Sequence, residues 1–205
     1  MTELNTKQIE IITITEKLFA ENGFDGTSIR EIAKAADINV AMVSYYFGSK
    51  EKLLEAIILY RISAFGLMLE NLQLETISAQ QKIKKFISFY ISRVYENKEI
   101  YQILHYEIVN QNRTSDFPAF TQIKRNNLQL LENVISEGQQ NKVFKEKCNP
   151  VLIPPIVLGS FFQIYTNKKF YQDILNLPDD AAFEKYILND FTEEISNVIL
   201  GMLNK

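Results

Sequence analysis

Apolar residues recur at helical spacing along almost the whole chain. Ile11, Ile14, Leu18 and Phe19 stripe a first helix, which Gly23 ends as a C-terminal cap. Ser28 opens a Ser-x-x-Glu pattern with Glu31, the mark of a capping box, although Thr27 is an alternative cap one residue earlier. The pattern predicts a short helix to about Ala35, a turn over Ala36 to Ile38, and a second short helix capped by Asn39 and ending at Tyr46 or Phe47. Gly48 and Ser49 make the next break.

From Lys50 the helices lengthen. Leu53, Leu54, Ile57, Ile58 and Tyr60 open one that runs to about Leu72, and Ser78 with Gln81 marks another capping box. Ile83, Phe86, Ile87, Tyr90, Ile91 and Val94 then keep the i, i+3, i+4, i+7 series without a miss. Further helices are expected at Ile100 to Gln111, Phe117 to Gln139, Pro150 to Asn167 and Ala181 to Leu203. The most apolar stretch, Val151 to Tyr165, is interrupted by Pro154, Pro155, Ser160 and Gln163; it is too short and too broken to span a bilayer and reads as a buried helix. The texture changes near Phe47, with short capped helices before it and long ones after, which suggests a compact N-terminal module and a larger helical body.

Composition sharpens this. Seven glycines and five prolines in 205 residues are about half the usual share, and every proline lies at or beyond Pro118. So few turn-formers argue against a sandwich or barrel. The lone Cys148 cannot form an internal disulfide, and the start Met1-Thr2-Glu3-Leu4-Asn5 lacks the pattern of a signal peptide, so a cytoplasmic location with no membrane partner is expected.

Two short helices joined by a tight turn, the second ending in aromatics, suggest a helix-turn-helix. Ala33 is the small residue the crossing needs, and Ile32, Ile38 and Val43 are the apolar lock. Asp37 stands at the turn where glycine is commoner, and Asp tolerates the left-handed region at modest cost. The run Gly23-Phe24-Asp25-Gly26-Thr27-Ser28-Ile29-Arg30-Glu31-Ile32-Ala33, then Ala36-Asp37-Ile38-Asn39, then Tyr45-Tyr46-Phe47-Gly48-Ser49-Lys50-Glu51-Lys52-Leu53-Leu54, closely resembles the DNA-binding domain of the tetracycline-repressor (TetR) family. The resemblance covers about Ile11 to Leu54 and says little about the rest.

It implies an all-α fold of about nine helices: an N-terminal three-helix helix-turn-helix DNA-binding domain over residues 1–49, and a larger C-terminal helical bundle for ligand binding and dimerisation over residues 50–205. It also implies a dimeric regulator, in most members a repressor, released from a double-stranded DNA operator by a small molecule. On that mapping Asn39 caps the recognition helix, and Val40, Ala41, Met42 and Ser44 face base edges or the sugar-phosphate wall of the major groove. Val40, Ala41 and Met42 can touch thymine methyls but make no bidentate hydrogen bonds to bases, so reading leans on shape, water or the N-terminal flank. Tyr45 and Tyr46 can donate to phosphates; Thr27, Ser28 and Arg30 lie near a helix start, where anions are attracted, and Lys50 adds a mobile positive charge. The plainer alternatives are that Tyr45 and Tyr46 are core aromatics, as Phe47 is taken to be, and that Lys50 is a solvated surface lysine.

The formal net charge of -3 and sequence pI near 5.4 argue against nucleic acid when taken whole. Locally the sign changes. Lys7 and Lys17 stand against five carboxylates over residues 1–26, whereas Arg30, Lys34, Lys50 and Lys52 exceed Glu31, Asp37 and Glu51 by one over residues 27–52. Binding should be modest and salt-sensitive, with few phosphate contacts per subunit.

In the body, Val151, Ile153, Ile156, Val157, Phe161, Ile164 and Tyr165, with Phe191, Ile195, Val198, Ile199 and Met202, form apolar faces broad enough for a four-helix interface in a homodimer. Two copies would read half-sites about 34–36 Å apart. The alternative is that the chain's own core fills these faces. Tyr90, Tyr95, Tyr101, His105 and Tyr106, with Phe117, Phe120, Phe161, Phe162 and Tyr165, carry apolar bodies, many with polar tips, and suit a concave site for an aromatic or lipid-like effector of unknown identity; ordinary core aromatics are the alternative.

Other functions have little support. There is no glycine-rich phosphate loop, and one histidine with one cysteine cannot build common zinc sites, so no cofactor or metal is expected. The residue three before His105 is Gln102 where a di-iron bundle wants Glu, and no nucleophile elbow accompanies the histidine, which argues against an enzyme. A helical adaptor that binds protein is the alternative, motivated by the apolar Val40, Ala41 and Met42.

Overall fold

The computed structural model describes residues 4–101, 103 and 118–205, with side chains at all of these but 62–65. The described residues form ten α-helices and no strand, an all-α architecture. An isolated antiparallel bridge joins Phe144 to Asn204. The helices are α1 (Thr6–Gly26), α2 (Ile29–Ala35), α3 (Val40–Phe47), α4 (Lys50–Leu74), α5 (Ala79–Glu96), α6 (Pro118–Gln140), α7 (Ile153–Thr166), α8 (Lys168–Ile174), α9 (Asp180–Tyr186) and α10 (Thr192–Leu203). A 3-10 turn over Pro150–Leu152 leads into α7, and a π turn over Ile187–Phe191 joins α9 to α10.

Packing divides the chain into two units. The first takes Met1–Ala64 with Asn97–Ile123, the second Phe65–Glu96 with Lys124–Lys205. The first therefore reaches past residue 49, because Leu53, Leu54, Ile57 and Ile58 of α4, and Ile100 beyond α5, are buried in the same core as Ile11, Ile12, Phe19 and Phe24 of α1 and Ile32 and Val43 of the short helices. In the second unit α5 presents Ile83, Phe86, Ile87, Ile91 and Val94, all buried, and packs against α7 and α10.

The local signals in the sequence have local causes in the structure. Gly23 sits inside α1 with φ 74° and ψ 166°, so it interrupts the helix, which resumes as far as Gly26. Ser28 caps α2 as a full capping box with Glu31, and Asn39 caps α3 by accepting from the Met42 N–H at 2.9 Å. Asp37 takes φ 49° at the turn between them, the left-handed conformation that its short polar side chain tolerates. Gly48, at φ 80°, closes α3.

Two expected helices need revision. The helix expected over Pro150 to Asn167 begins as a 3-10 turn, as its paired prolines at the start of α7 permit, and after it comes the unanticipated α8, a seven-residue helix whose Phe170 and Ile174 are exposed. The last helix is three segments; at its π turn the Thr192 hydroxyl donates to the Ile187 carbonyl at 2.8 Å. The helix expected over Ile100 to Gln111 lies mostly outside the described residues, as does Phe117. Among the described residues, no helix is long and apolar enough to cross a membrane.

Candidate nucleic-acid interface

Helix α3 is two-faced for a simple reason. Val43 and Phe47, one turn apart, are buried in the first unit's core, so the opposite stripe must face out. Ala41 and Tyr45 make that stripe, and Ser44 at its edge and Val40 at the open first turn are exposed with them, Val40 at 42% and Tyr45 at 83%. Met42 and Tyr46 lie on its flank, half-buried, and Tyr46 packs on the core. Thus the two tyrosines divide: Tyr45 projects into solvent, with its ring edge against Tyr46 at 5.3 Å, while Tyr46 and Phe47 turn inward. Asn39 is exposed, with its side-chain oxygen committed to the cap.

Around α2, Ser28 and Arg30 are exposed. The Glu31 carboxylate accepts the Ser28 N–H at 2.7 Å while the Ser28 hydroxyl accepts the Glu31 N–H at 3.2 Å. The Ser28 N–H first, then its hydroxyl, and the nearby Lys50 ammonium hold the Glu31 carboxyl below its ordinary range.

Two residues assigned to phosphate on sequence grounds make contacts within the chain. Thr27 is 1% exposed, and its hydroxyl donates to the Gly23 carbonyl at 2.9 Å and the Leu18 carbonyl at 3.2 Å. A side chain so enclosed cannot reach DNA; it ties the broken end of α1 together. The Lys50 ammonium donates to the Phe24 and Thr27 carbonyls, both at 2.8 Å, and lies 4.3 Å from the centre of the Phe24 ring. Lys7, which the sequence offered no reason to single out, donates to the Ala36 carbonyl at the far end of α2 at 3.3 Å and pairs with Glu10. Carbonyl acceptors are carried by every residue, so no sequence pattern marks these contacts.

The second unit holds the residues proposed for a partner and some of those proposed for an effector. Val157 and Phe161 are fully buried, and Phe191 and Ile195 are at 3% and 8% exposure. Their own chain covers these four, which removes them from a surface offered to a second copy; Val198, at 52%, remains open, and Ile164 and Met202 are half-buried. Phe161 stacks on Tyr165, with centroids 5.7 Å apart and rings 6° from parallel, and meets Tyr95 edge-on at 6.5 Å. This is aromatic packing with its faces occupied, so Phe161 serves as core instead of cavity lining. Burial first, then the Glu184 carboxylate, pushes the Tyr95 hydroxyl up to about 12. Tyr90 is half-buried against Phe86 in the second unit, whereas Tyr101 and Phe120 belong to the first unit's core margin. His105 and Tyr106 lie outside the described residues.

Residues 11–57 match the family described as bacterial regulatory proteins, tetR family, and residues 62–200 match the one described as YsiA-like protein, C-terminal region. The chain is 26% identical over 200 residues to the probable HTH-type transcriptional regulator YttP of Bacillus subtilis, covering 94% of this chain and 91% of that protein. It is 23% identical over 166 residues to the fatty acid metabolism regulator protein of the same organism, covering 81% and 85%. Among solved structures, the fold is similar to that of the transcriptional regulator FadR from Bacillus subtilis in complex with stearoyl-CoA, with a TM-score of 0.72 at 20% identity over 94% of this chain and 97% of that one.

Proposed function

The chain belongs to the tetR family of bacterial regulatory proteins and is a DNA-binding transcriptional regulator, and on that premise we propose that it is a cytoplasmic repressor that grips a palindromic operator as a homodimer and lets go when an acyl-CoA binds. Residues 1–49 carry the DNA contact and residues 50–205 the effector and partner surfaces. The exposed residues Val40, Ala41, Ser44 and Tyr45 on a helix anchored by buried Val43 and Phe47 carry the reading. Its apolar members fit thymine methyls in the major groove, and Tyr45, Ser28 and Arg30 fit the flanking phosphates. Tyr46 and Met42 supply the edge of the same surface.

The effector class rests on relatives. One is named a fatty acid metabolism regulator and one similar fold was solved with stearoyl-CoA. Release then requires that the ligand bind the DNA-incompetent conformation more tightly than the competent one. With stearoyl-CoA as probe, operator affinity should fall about 10- to 100-fold, the range of an ordinary coupling free energy of roughly 1–3 kcal/mol. Calorimetry would report binding and anisotropy the change in DNA affinity. Binding without loss of operator affinity sinks the release model; no binding at all sinks the acyl-CoA class alone.

DNA recognition is tested directly by titrating the protein against the DNA flanking its own coding sequence, with native mass spectrometry reporting the dimer. A protein-binding adaptor would show no palindrome-specific, salt-dependent affinity. Within this test, Tyr45→Ala separates contact from fold. The ring is 83% exposed, so stability should stay within about 0.5 kcal/mol, while operator affinity should drop by about tenfold through the lost charge-assisted hydrogen bond. Unchanged affinity would remove Tyr45 from the interface.

A further inference from the structure

We infer that Lys50 is a positioning residue, a clasp that closes the reading module on itself, and that it does not spend its charge on DNA phosphate. The inference rests on the DNA-binding reading above and concerns how that surface is held. Helix α2 leads through the Asp37 turn to α3, α3 ends at Gly48, and Ser49 passes directly into α4. Lys50, in the first turn of α4, reaches back to the Thr27 carbonyl immediately before the α2 cap and to the Phe24 carbonyl at the end of α1. One ammonium thus joins the last helix of this path to the beginning of the first.

The geometry accounts for most of the donor capacity of the group. Two of its three N–H donors are in 2.8 Å hydrogen bonds, and the Phe24 ring lies beneath it at 4.3 Å. Phe24 is itself only 2% exposed, so the platform is fixed. A free surface lysine gains little by ordering its stem, whereas here the two carbonyls lie next to a helix break at Gly23, and the Phe24 carbonyl accepts, besides the ammonium, a long 3.3 Å bond from the Thr27 N–H. Lys7 does the corresponding work at the opposite end of α2, on the Ala36 carbonyl. With both ends of α2 tied by lysines, and α2 packed on α3 through Ile32, Ala33 and Val43, the orientation of the exposed stripe on α3 follows from the clasp.

The salt dependence of binding distinguishes the two roles. A lysine that neutralises a phosphate contributes about 0.9 to the slope of log affinity against log salt concentration, so two copies in a dimer contribute about 1.8. For full-length Lys50→Met, which keeps the stem and removes the donors, the expected result is an operator affinity lower by about tenfold, from two lost hydrogen bonds to a charged group, with the salt slope unchanged. Lys50→Arg should not rescue, because a planar fork cannot place its donors on both carbonyls, although it serves phosphate well. A slope reduced by about 1.8 in Lys50→Met, full affinity in Lys50→Arg, or unchanged affinity in both would each overturn the clasp. If Lys50→Met does not fold, the ammonium signals of the unaltered protein decide by NMR: a protected ammonium with cross-relaxation to the Phe24 ring, which separates it from the buried Lys82, supports the clasp before DNA is added, and the absence of such a signal overturns it. If the unaltered protein binds no operator, the functional reading fails, and the NMR result still stands for the clasp.

Discussion

Replacing Gly138 by alanine should destabilise the protein by about 2–3 kcal/mol, although the same change at an ordinary position late in a helix is worth up to about 1 kcal/mol of added stability. Gly138 lies two residues before the end of α6, and a Cβ built there falls 2.1 Å and 2.4 Å from two ring carbons of Phe144. The ring cannot retreat. It is fully buried, and its backbone is pinned from two sides: the Val143 and Phe144 N–H groups both donate to the Gly138 carbonyl, and the chain continues into Lys145, whose N–H donates to the Leu203 carbonyl at 2.7 Å. Lys142, with φ 59°, makes the sharp turn that folds this segment back over the helix. A glycine is therefore required by close approach, since its own φ is ordinary. At this chain length the loss corresponds to a melting-temperature drop of roughly 5–10 °C. Pairing the change with Phe144→Leu should cost less than the sum of the two single changes, since each makes room for the other. A Gly138→Ala protein that melts higher than the unaltered one would show that the ring moves aside at no cost.

The same pair marks where sequence reasoning stops. Helical periodicity announced the α6 stripe but carries no information about which glycine a distant ring will cover. The features legible in the sequence are those whose cause is local: the Ser28–Glu31 and Ser78–Gln81 capping boxes, the Asn39 cap, the breaks at Gly23 and Gly48, and the left-handed Asp37 all involve partners within a few residues. The outward placement of Val40, Ala41, Met42 and Ser44 came with the family resemblance, because helical spacing alone puts Val40 and Phe47, seven residues apart, on one face. Periodicity could not say what covers an apolar face. Val157, Phe161, Phe191 and Ile195 have the same pattern whether a second copy or their own chain lies against them, and here their own chain does. Phe170, Tyr171, Ile174 and Leu175 do recur at helical spacing, but over too short a run to mark α8 as a helix of its own. Lysines are the hardest case: the sequence offers solvent or phosphate as their partner, and for Lys7 and Lys50 the partner is a main-chain carbonyl, while Lys82 is buried altogether.

That buried lysine yields the other large effect, and the effect should be asymmetric. The Lys82 side chain is 4% exposed and its ammonium donates to the Glu137 carboxylate at 2.7 Å and to the Gln73 carbonyl at 3.1 Å, tying α5 to α6 and to the end of α4 within the second unit. Its partner Glu137 is 37% exposed. Removing the carboxylate by Glu137→Ala strands a cation in an apolar setting with a single carbonyl left, and breaking such a pair costs about 3 kcal/mol, the lower end of the usual range because water can enter where Glu137 was. Removing the cation by Lys82→Met leaves a carboxylate that can turn to solvent, and an apolar side chain of similar length fills the site. The loss is then about 1 kcal/mol, mostly the Gln73 carbonyl left without its donor. Glu137→Gln keeps an oxygen acceptor in place and should fall between the two. Chemical denaturation of the three variants measures the order. Because water can compensate the group left behind only where it reaches that group, an equal cost for Glu137→Ala and Lys82→Met would mean that water reaches the ammonium as readily as the carboxylate, contrary to the burial of Lys82.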